Sequence, residues 1–500
     1  METLTLSIAA VLLLLLASIL WRLRHVQGSK TKNRSGSLFE LMKNSHRILD
    51  WTTELLHDSP SGTTVTFMGV IISNPSNVEH ILKNRFENYP KGSGFTSVLS
   101  DFLGSGIFNA DGEHWRLQRK TASLEFSTKA IRAFIHSRVR LESVSRLIPL
   151  LSSAARSGEQ LNLQDLLEFF TFDNACQVTF GHDPSLLSSP NDDDPLSSDR
   201  QFAKAFEEAA QLSVRRFSHP FPFIWKLQRF LNVGSEGRLK EEVAKVQAFA
   251  MDVVQERKRK RDRTGSLGDD LLSRFIADND YSDEFLRDIV ISFVLAGRDT
   301  TAAAISWFFW LISTRPAVTD LIVDEIRSVR AKCGKTMEQE PVFSLDQVRG
   351  MDYLHAALAE SLRLYPPVPL QTRTCLEDDL LPDGTPVRKG QTVMYSSYAM
   401  GRTERIWGQD WGEFRPERWL EKGVFRAVSP FTYPVFHAGP RMCLGKEMAH
   451  IQMKAVAAAL LERFEIEVVD EAKEREKDLG MMLRIKGGLP VRIRERMFLN

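Results

Sequence analysis

Near the carboxyl end the chain reads Phe436-His437-Ala438-Gly439-Pro440-Arg441-Met442-Cys443-Leu444-Gly445-Lys446, directly before an amphipathic stretch. Buried cysteines are usually small hydrophobes. Cys443, however, sits where backbone N–H groups and the positive end of a helix dipole stabilise a thiolate, the form of cysteine that binds iron. Gly439 permits a tight turn, and Gly445 lets a helix approach a flat ligand closely. Arg441 offers a fork to a carboxylate such as a propionate, and Phe436 can screen the sulfur. Together these residue types form a socket for a haem held by a thiolate. His437 is the rival iron ligand by chemistry, but nothing in the sequence around it orients the ring.

A second group of reactive residue types, Ala296-Gly297-Arg298-Asp299-Thr300-Thr301, interrupts an otherwise apolar run from Asp283 to Thr314. Ser282 is a suitable N-cap, acids occupy the first turn and Pro316 follows the end, so the run predicts one helix about 48 Å long. A membrane span would have to hold an Arg-Asp pair at its centre, which is costly in lipid, so a buried central helix is the better reading. Gly297 would thin the helix surface so that something can lie against its backbone, and Thr300 can bond back to a carbonyl and loosen the turn. A core helix with a satisfied polar break explains this motif equally well when it is taken alone.

The rest of the chain must position these two groups. With 500 residues, 43% hydrophobic and 26% charged, it can build a large core, which excludes disorder, collagen and small disulfide scaffolds. Lys+Arg 65 against Asp+Glu 64 leaves +1, so no global field selects nucleic acid or another charged partner. Cys176, Cys333, Cys375 and Cys443 show neither CxxC pairing nor zinc-like spacing. Gly334-Lys335-Thr336 lacks the upstream glycine of a phosphate loop, and Val329 stands there instead. Leu4 to Trp21 is long and apolar enough for a signal-anchor, with Arg22, Arg24, Lys30, Lys32 and Arg34 on its far side. The expected organisation is a membrane anchor over 1–21, a short basic linker over 22–37 and one catalytic domain over 38–500. Helical periodicity covers Phe126–Leu151, Gln201–Ser213, Arg238–Lys260, Leu345–Leu364 and Lys446–Phe464. Strand patterns fall near Thr63–Ile72, at Val387–Tyr395 and near the carboxyl end. The fold class is mainly α with small β-sheets.

The pattern FxxGxRxCxG, preceded by AGxDTT, resembles the cytochrome P450 haem-thiolate monooxygenases. Glu360-Ser361-Leu362-Arg363 matches the family's ExxR, and Phe414-Arg415-Pro416-Glu417-Arg418-Trp419 its PERF-like segment. The likeness runs from about Leu38 to Arg494 and implies a cytochrome P450 fold after a single transmembrane helix. By resemblance Cys443 is the axial ligand of haem b, and Phe436, Gly439, Arg441 and Gly445 frame it. Trp115 and Arg119 match the WxxxR helix that reaches a propionate, and Arg373 lies where another propionate ligand is often found. Glu360, Arg363 and Arg418 are expected to form a buried structural lock, since positions i and i+3 share a helix face. Asp299 and Thr300 match the family's acid and hydroxyl for proton delivery.

The resemblance also implies an NADPH–cytochrome P450 reductase as electron source, because this chain lacks a dinucleotide fingerprint. Its docking face would draw on Arg116, Lys120, Arg132, Arg138 and Lys446, and its setting would be the endoplasmic reticulum membrane. Stretches such as Asn88-Tyr89-Pro90-Lys91-Gly92 and Tyr398-Ala399-Met400-Gly401-Arg402 are similar to the plant branch of fatty-acid omega-hydroxylases. That branch also contains hydroxylases of jasmonoyl-amino acids and of sterol side chains, and all three substrates present an aliphatic chain end. Phe95, Phe108, Phe293, Ala296, Val368, Leu370 and Met482 are the channel walls expected from family position. Two other classes share these motifs in part, a reductant-free haem-thiolate isomerase or dehydratase and a non-catalytic haem protein. The intact Asp299–Thr300 pair weighs against the first, and NADPH consumption with reductase would exclude the second. No proline precedes Pro60, where plant members usually carry a proline-rich hinge.

Overall fold

The computed structural model describes residues 37–188, 197–219, 221–265, 267–268, 270–278, 281–470 and 474–496. The expected anchor and nearly all of the expected linker lie outside these residues. The first described helix is Leu38–Lys43, with the Ser37 hydroxyl accepting from the Glu40 N–H.

Six helices and five strands position the site. They are α1 (Gly112–Ser123), α2 (Leu163–Phe180), α3 (Ser198–Arg215), α4 (Asp283–Ser313), α5 (Asp352–Leu364) and α6 (Lys446–Arg463). The strands are β1 (Thr63–Thr66), β2 (Gly69–Ile72), β3 (Leu370–Thr374), β4 (Thr392–Ser396) and β5 (Leu483–Ile485). The first four strands form one sheet in the order β1-β2-β4-β3, in which only the β2–β4 pairing is parallel.

Helix α4 begins as expected, with the Ser282 hydroxyl accepting from the Phe285 N–H at 3.2 Å. Although it is long and apolar enough to cross a bilayer, 78% of its most apolar window is buried inside the protein, so it is a core helix. It packs chiefly along α2. Helix α2 escaped periodicity analysis because nearly every face of it is buried, polar residues included, leaving no apolar stripe to detect. One large core gathers around Trp307, Phe308, Leu358 and Val456, and a second around Phe102, Phe206 and Ile289.

Several expected elements differ in detail. The run Phe126–Leu151 is a chain of short α and π segments from Thr128 onward, continuing to Ser157. Leu345–Leu364 is two helices that part at Gly350-Met351, the first held by a capping box between Ser344 and Gln347. Val387–Tyr395 is split by a turn in which Gly390 takes φ 78°, and it yields two strands rather than one. At Gly297 the close neighbour is helix α2. A Cβ there would meet the Ala175 Cβ at 3.0 Å, so this glycine permits tight packing of α4 on α2.

Candidate functional site

The loop before α6 is built by backbone geometry. His437 adopts φ 58° and Gly439 φ 65°, and a Cβ on Gly439 would collide with the Leu82 carbonyl oxygen, so no other residue fits there without strain. The Met442 N–H donates to Gly439 O at 3.0 Å and the Cys443 N–H to Phe436 O at 2.8 Å, which fixes the cysteine without involving its sulfur. Gly445 caps α6 and lies against Phe126, whose ring a Cβ would meet at 3.3 Å. The Cys443 residue is accessible, although the surrounding fold desolvates its thiol. Burial pushes its thiol up from the ordinary value, while the Gly445 N–H, the Arg119 guanidinium and the Lys446 ammonium favour the thiolate. Of the other cysteines, Cys176 and Cys375 are buried and Cys333 belongs to the helix Pro316–Cys333 away from this loop.

Around the loop the structure collects an excess of positive charge. Arg441 lies 4.4 Å from the centroid of the Trp115 ring and Arg119 5.8 Å from it, both on the α1 side, and the Arg119 guanidinium donates to Met442 O at 2.6 Å. Arg373 arrives from β3, buried at 2% exposure, and repels both Arg441 and Lys91. Asp111 is the close counter-ion, at 2.6 Å from Arg441. The buried Nε atoms of Arg373 and Arg441 have no hydrogen-bond partner. Burial and then this mutual repulsion hold Arg441 down to about 10 and Lys91 well below its ordinary value. Four basic side chains gathered around Asp111, with donors left over, fit a dianionic ligand edge such as the two propionates of haem.

Two features of this nest were not legible in the sequence. Lys91 stands in the sequence only as part of the stretch Asn88–Gly92, yet its ammonium lies 4.4 Å from the Phe95 ring centroid and 5.8 Å from that of Phe108. His437, for which no orienting partner was expected, has one: Tyr395 Oη lies 3.0 Å from its Nδ1. The tyrosine reaches it from β4, a partner 42 residues away in sequence that only the sheet brings close. Burial and the surrounding cations hold His437 down to about 3, so its ring is neutral at physiological pH.

The Glu360–Arg363 pair on α5 is wholly buried. The Arg363 guanidinium donates to both Glu360 oxygens, at 2.7 and 2.8 Å, and its other N–H groups reach the carbonyls of Gly401, Trp411 and Glu413. Glu360 also accepts from Arg418 Nε, the Arg415 N–H and the Trp419 indole, each at 2.9 Å. The Trp419 indole adds a donor beyond the expected three-residue lock. The network ties α5 to the segment that leads into the cysteine loop.

On α4, Thr300 Oγ1 donates to Ala296 O at 2.7 Å, the expected back-bond. Asp299 is 5% exposed, and its Oδ1 approaches Arg298 Nε at 3.2 Å without the alignment of a hydrogen bond, so that oxygen lacks a donor. Burial pushes its carboxyl up from the ordinary value against the pull of Arg298.

The expected channel walls divide. Phe108 and Phe293 pack with Leu444 on the group Ile107, Ala110 and Trp115, and Phe95 joins through Lys91. Leu370 packs elsewhere, on Leu49, Tyr398 and Leu483. Ala296, Val368 and Met482 belong to neither group among the described residues. Of the basic residues on the expected docking face, Arg116 pairs with Glu87 and Glu113, Arg132 with Asp346, and Arg138 donates to Gln177.

The family model "Cytochrome P450" matches residues 34–490. The chain is 60% identical over 476 residues to cytochrome P450 CYP94D108 of Paris polyphylla, covering 95% of this chain and 94% of that relative. It is 45% identical over 476 residues to cytochrome P450 94A1 of Vicia sativa, covering 92% and 89% of the two chains. It is also 45% identical over 476 residues to cytochrome P450 94B1 of Arabidopsis thaliana, covering 92% and 90%. A mainly helical enzyme with a cysteine presented from a loop against a cationic nest is a haem-thiolate oxidoreductase. The chain belongs to the cytochrome P450 family and is a monooxygenase.

Proposed function

We propose that this monooxygenase hydroxylates the terminal carbon of an aliphatic chain, a fatty acid in the first instance, using O2 and electrons from NADPH through a separate reductase. The observation that carries the reading is the Cys443 loop set against Lys91, Arg119, Arg373 and Arg441. Haem b bound there supplies the oxygen activation that no side chain can. Cys443 would hold the iron, the four cations the propionates, and Trp115 and Phe436 would flank the group. Phe95, Phe108 and Phe293 form the aromatic side of the substrate space next to that edge. A primary C–H bond is stronger than its neighbour, so terminal oxidation requires a pocket that limits which carbon reaches the reacting centre. Leu4 to Trp21 would anchor the enzyme in the endoplasmic reticulum membrane with its catalytic part in the cytosol.

Membranes carrying the enzyme and reductase, fed a fatty acid, a jasmonoyl-amino acid and a hydroxysterol, test the reading by product mass spectrometry. A terminal alcohol of the fatty acid is the expected product, and oxidation of either other chain alone would replace this substrate. Thr300→Ala removes the hydroxyl expected to pass protons inward. It should retain haem but divert most consumed NADPH to peroxide, a loss of roughly 10²-fold in product rate at the low end for a positioned proton donor. Unchanged coupling would remove Thr300 from the pathway. Arg441→Leu deletes one charged donor worth about 1.5–3 kcal/mol, so haem should transfer to apomyoglobin roughly ten- to hundredfold faster. An unchanged transfer rate would mean that Arg441 serves Asp111 alone.

A further inference from the structure

A cavity of about 530 Å³ opens beside the cysteine loop, between α5, α6 and the segment that follows the Glu360 network. It shares Phe436, His437 and Leu444 with the loop, but no residue of α4 and no cation of the nest lines it. The cavity is therefore separate from the space set aside for haem. Its walls are mainly rings, with Trp419, Phe425, Tyr433 and Phe436 set around Val428 and Ala359. His355 stacks flat on Phe425 with centroids 3.7 Å apart, and His450 lies 4.6 Å from His355 and 4.7 Å from Phe436. Such ring faces receive a flat apolar body.

The polar groups are few, and their charge is mostly of one sign. Lys454 of α6 is only 2% exposed and makes no ion pair among the described residues. Its ammonium gives one hydrogen bond, to Arg349 O at 3.4 Å, and so has two donors to spare. Burial holds it down to about 8, with Glu325 and Asp352 opposing. His450 is 8% exposed, and its buried Nδ1 has no hydrogen-bond partner. Lys446 adds a second ammonium, 5.9 Å from the Phe436 ring centroid. The one acid that lines the cavity, Glu447, is held by Arg349 at the open side, where the two side chains are 52% and 39% exposed.

These groups narrow the ligand. A metal would need a third ligand beside His355 and His450, and none completes the pair among the described residues. Inorganic phosphate would leave most of the volume empty and would find the one arginine there already paired with Glu447. The volume instead falls within the roughly 300–1,000 Å³ of sites for small organic molecules. We propose that this cavity binds a small aromatic carboxylate, with its ring against Phe436 and Trp419 and its carboxylate on Lys454 and His450. Lys446 also belongs to the face where the reductase is expected to dock, so an occupied cavity should slow electron supply. That consequence rests on the docking reading, whereas binding itself does not.

Binding is tested by calorimetry on the haem-loaded enzyme without reductase, with a bulky azole on the iron to keep the probe out of the substrate side. trans-Cinnamate should bind, and its uncharged amide should bind roughly ten- to hundredfold more weakly, the difference made by a charged partner. Lys454→Met keeps the length of the side chain and should weaken cinnamate by a similar factor without changing the amide. Val428→Trp fills the cavity and should weaken both. No binding of cinnamate, equal affinity of acid and amide, or unchanged cinnamate affinity in both variants overturns the proposal. The acid–amide comparison uses the wild type alone, so it decides the matter should neither variant load haem. With reductase and without azole, cinnamate should slow the first reduction of the iron in the wild type and not in Lys454→Met. Unchanged reduction beside demonstrated binding overturns only the consequence for electron supply.

Discussion

Cys443→Ala is expected to fold and yet to lose all measurable oxygenase turnover. The loop that carries the cysteine is held by Cys443 N–H to Phe436 O and Met442 N–H to Gly439 O, and neither bond uses the sulfur. The cationic nest also survives the substitution. What disappears is the one accessible thiol at the start of α6, where the Arg119 and Lys446 charges and the Gly445 N–H favour the ionised form. Neither buried cysteine can take its place, since the Cys176 thiol is pushed far up by burial and by Asp173, and Cys375 is bonded beside Tyr89 and Asn88. Haem content, circular dichroism and product formation measured together check the expectation. A variant with native helix content and substantial turnover would mean that another ligand serves the metal.

Glu360→Ala carries the second large effect, and it acts on the fold. The substitution strips a wholly buried guanidinium, Arg363, of two charge-assisted bonds, and leaves Arg418 Nε, the Arg415 N–H and the Trp419 indole without their Glu360 acceptor. Removing one partner of a buried pair costs about 3–5 kcal/mol because the remaining charge is stranded. Set against a total stability of about 5–15 kcal/mol, that loss should prevent accumulation of folded, haem-loaded protein. Glu360→Gln keeps the shape and one acceptor and should be milder. Arg363→Lys should resemble Glu360→Ala, because a single ammonium cannot reach Glu360 and three carbonyls at once. Expression, haem incorporation and thermal unfolding give the comparison. Unchanged unfolding of Glu360→Ala would show that the network contributes no net stability.

The sequence made legible whatever rests on local patterning or on short spacing. The span of α4, its cap at Ser282, the back-bond of Thr300 and the α5 pair all follow from positions three or four apart on a helix, and each is found. What escaped was assembled across long sequence separations. Tyr395 reaches His437 only because β4 pairs in parallel with β2 and lies beside the cysteine loop. Lys91 joins Arg373 and Arg441 only because three separate segments converge. Helix α2 is buried on nearly all faces and so shows no period, and the tight approach at Gly297 is to Ala175 of that helix. Leu370 packs on Leu49, Tyr398 and Leu483, neighbours that only the fold brings to β3. Family position predicts where a residue stands in the chain, whereas its neighbours depend on registers that single residues do not encode.

The ligand assignment is tested most directly on the wild-type protein, by reducing it under carbon monoxide and reading the difference spectrum. The Cys443 thiolate predicts the strongly red-shifted Soret band of a sulfur-ligated haem. A colourless protein, or the unshifted band of imidazole ligation with His437 on the iron, would contradict it.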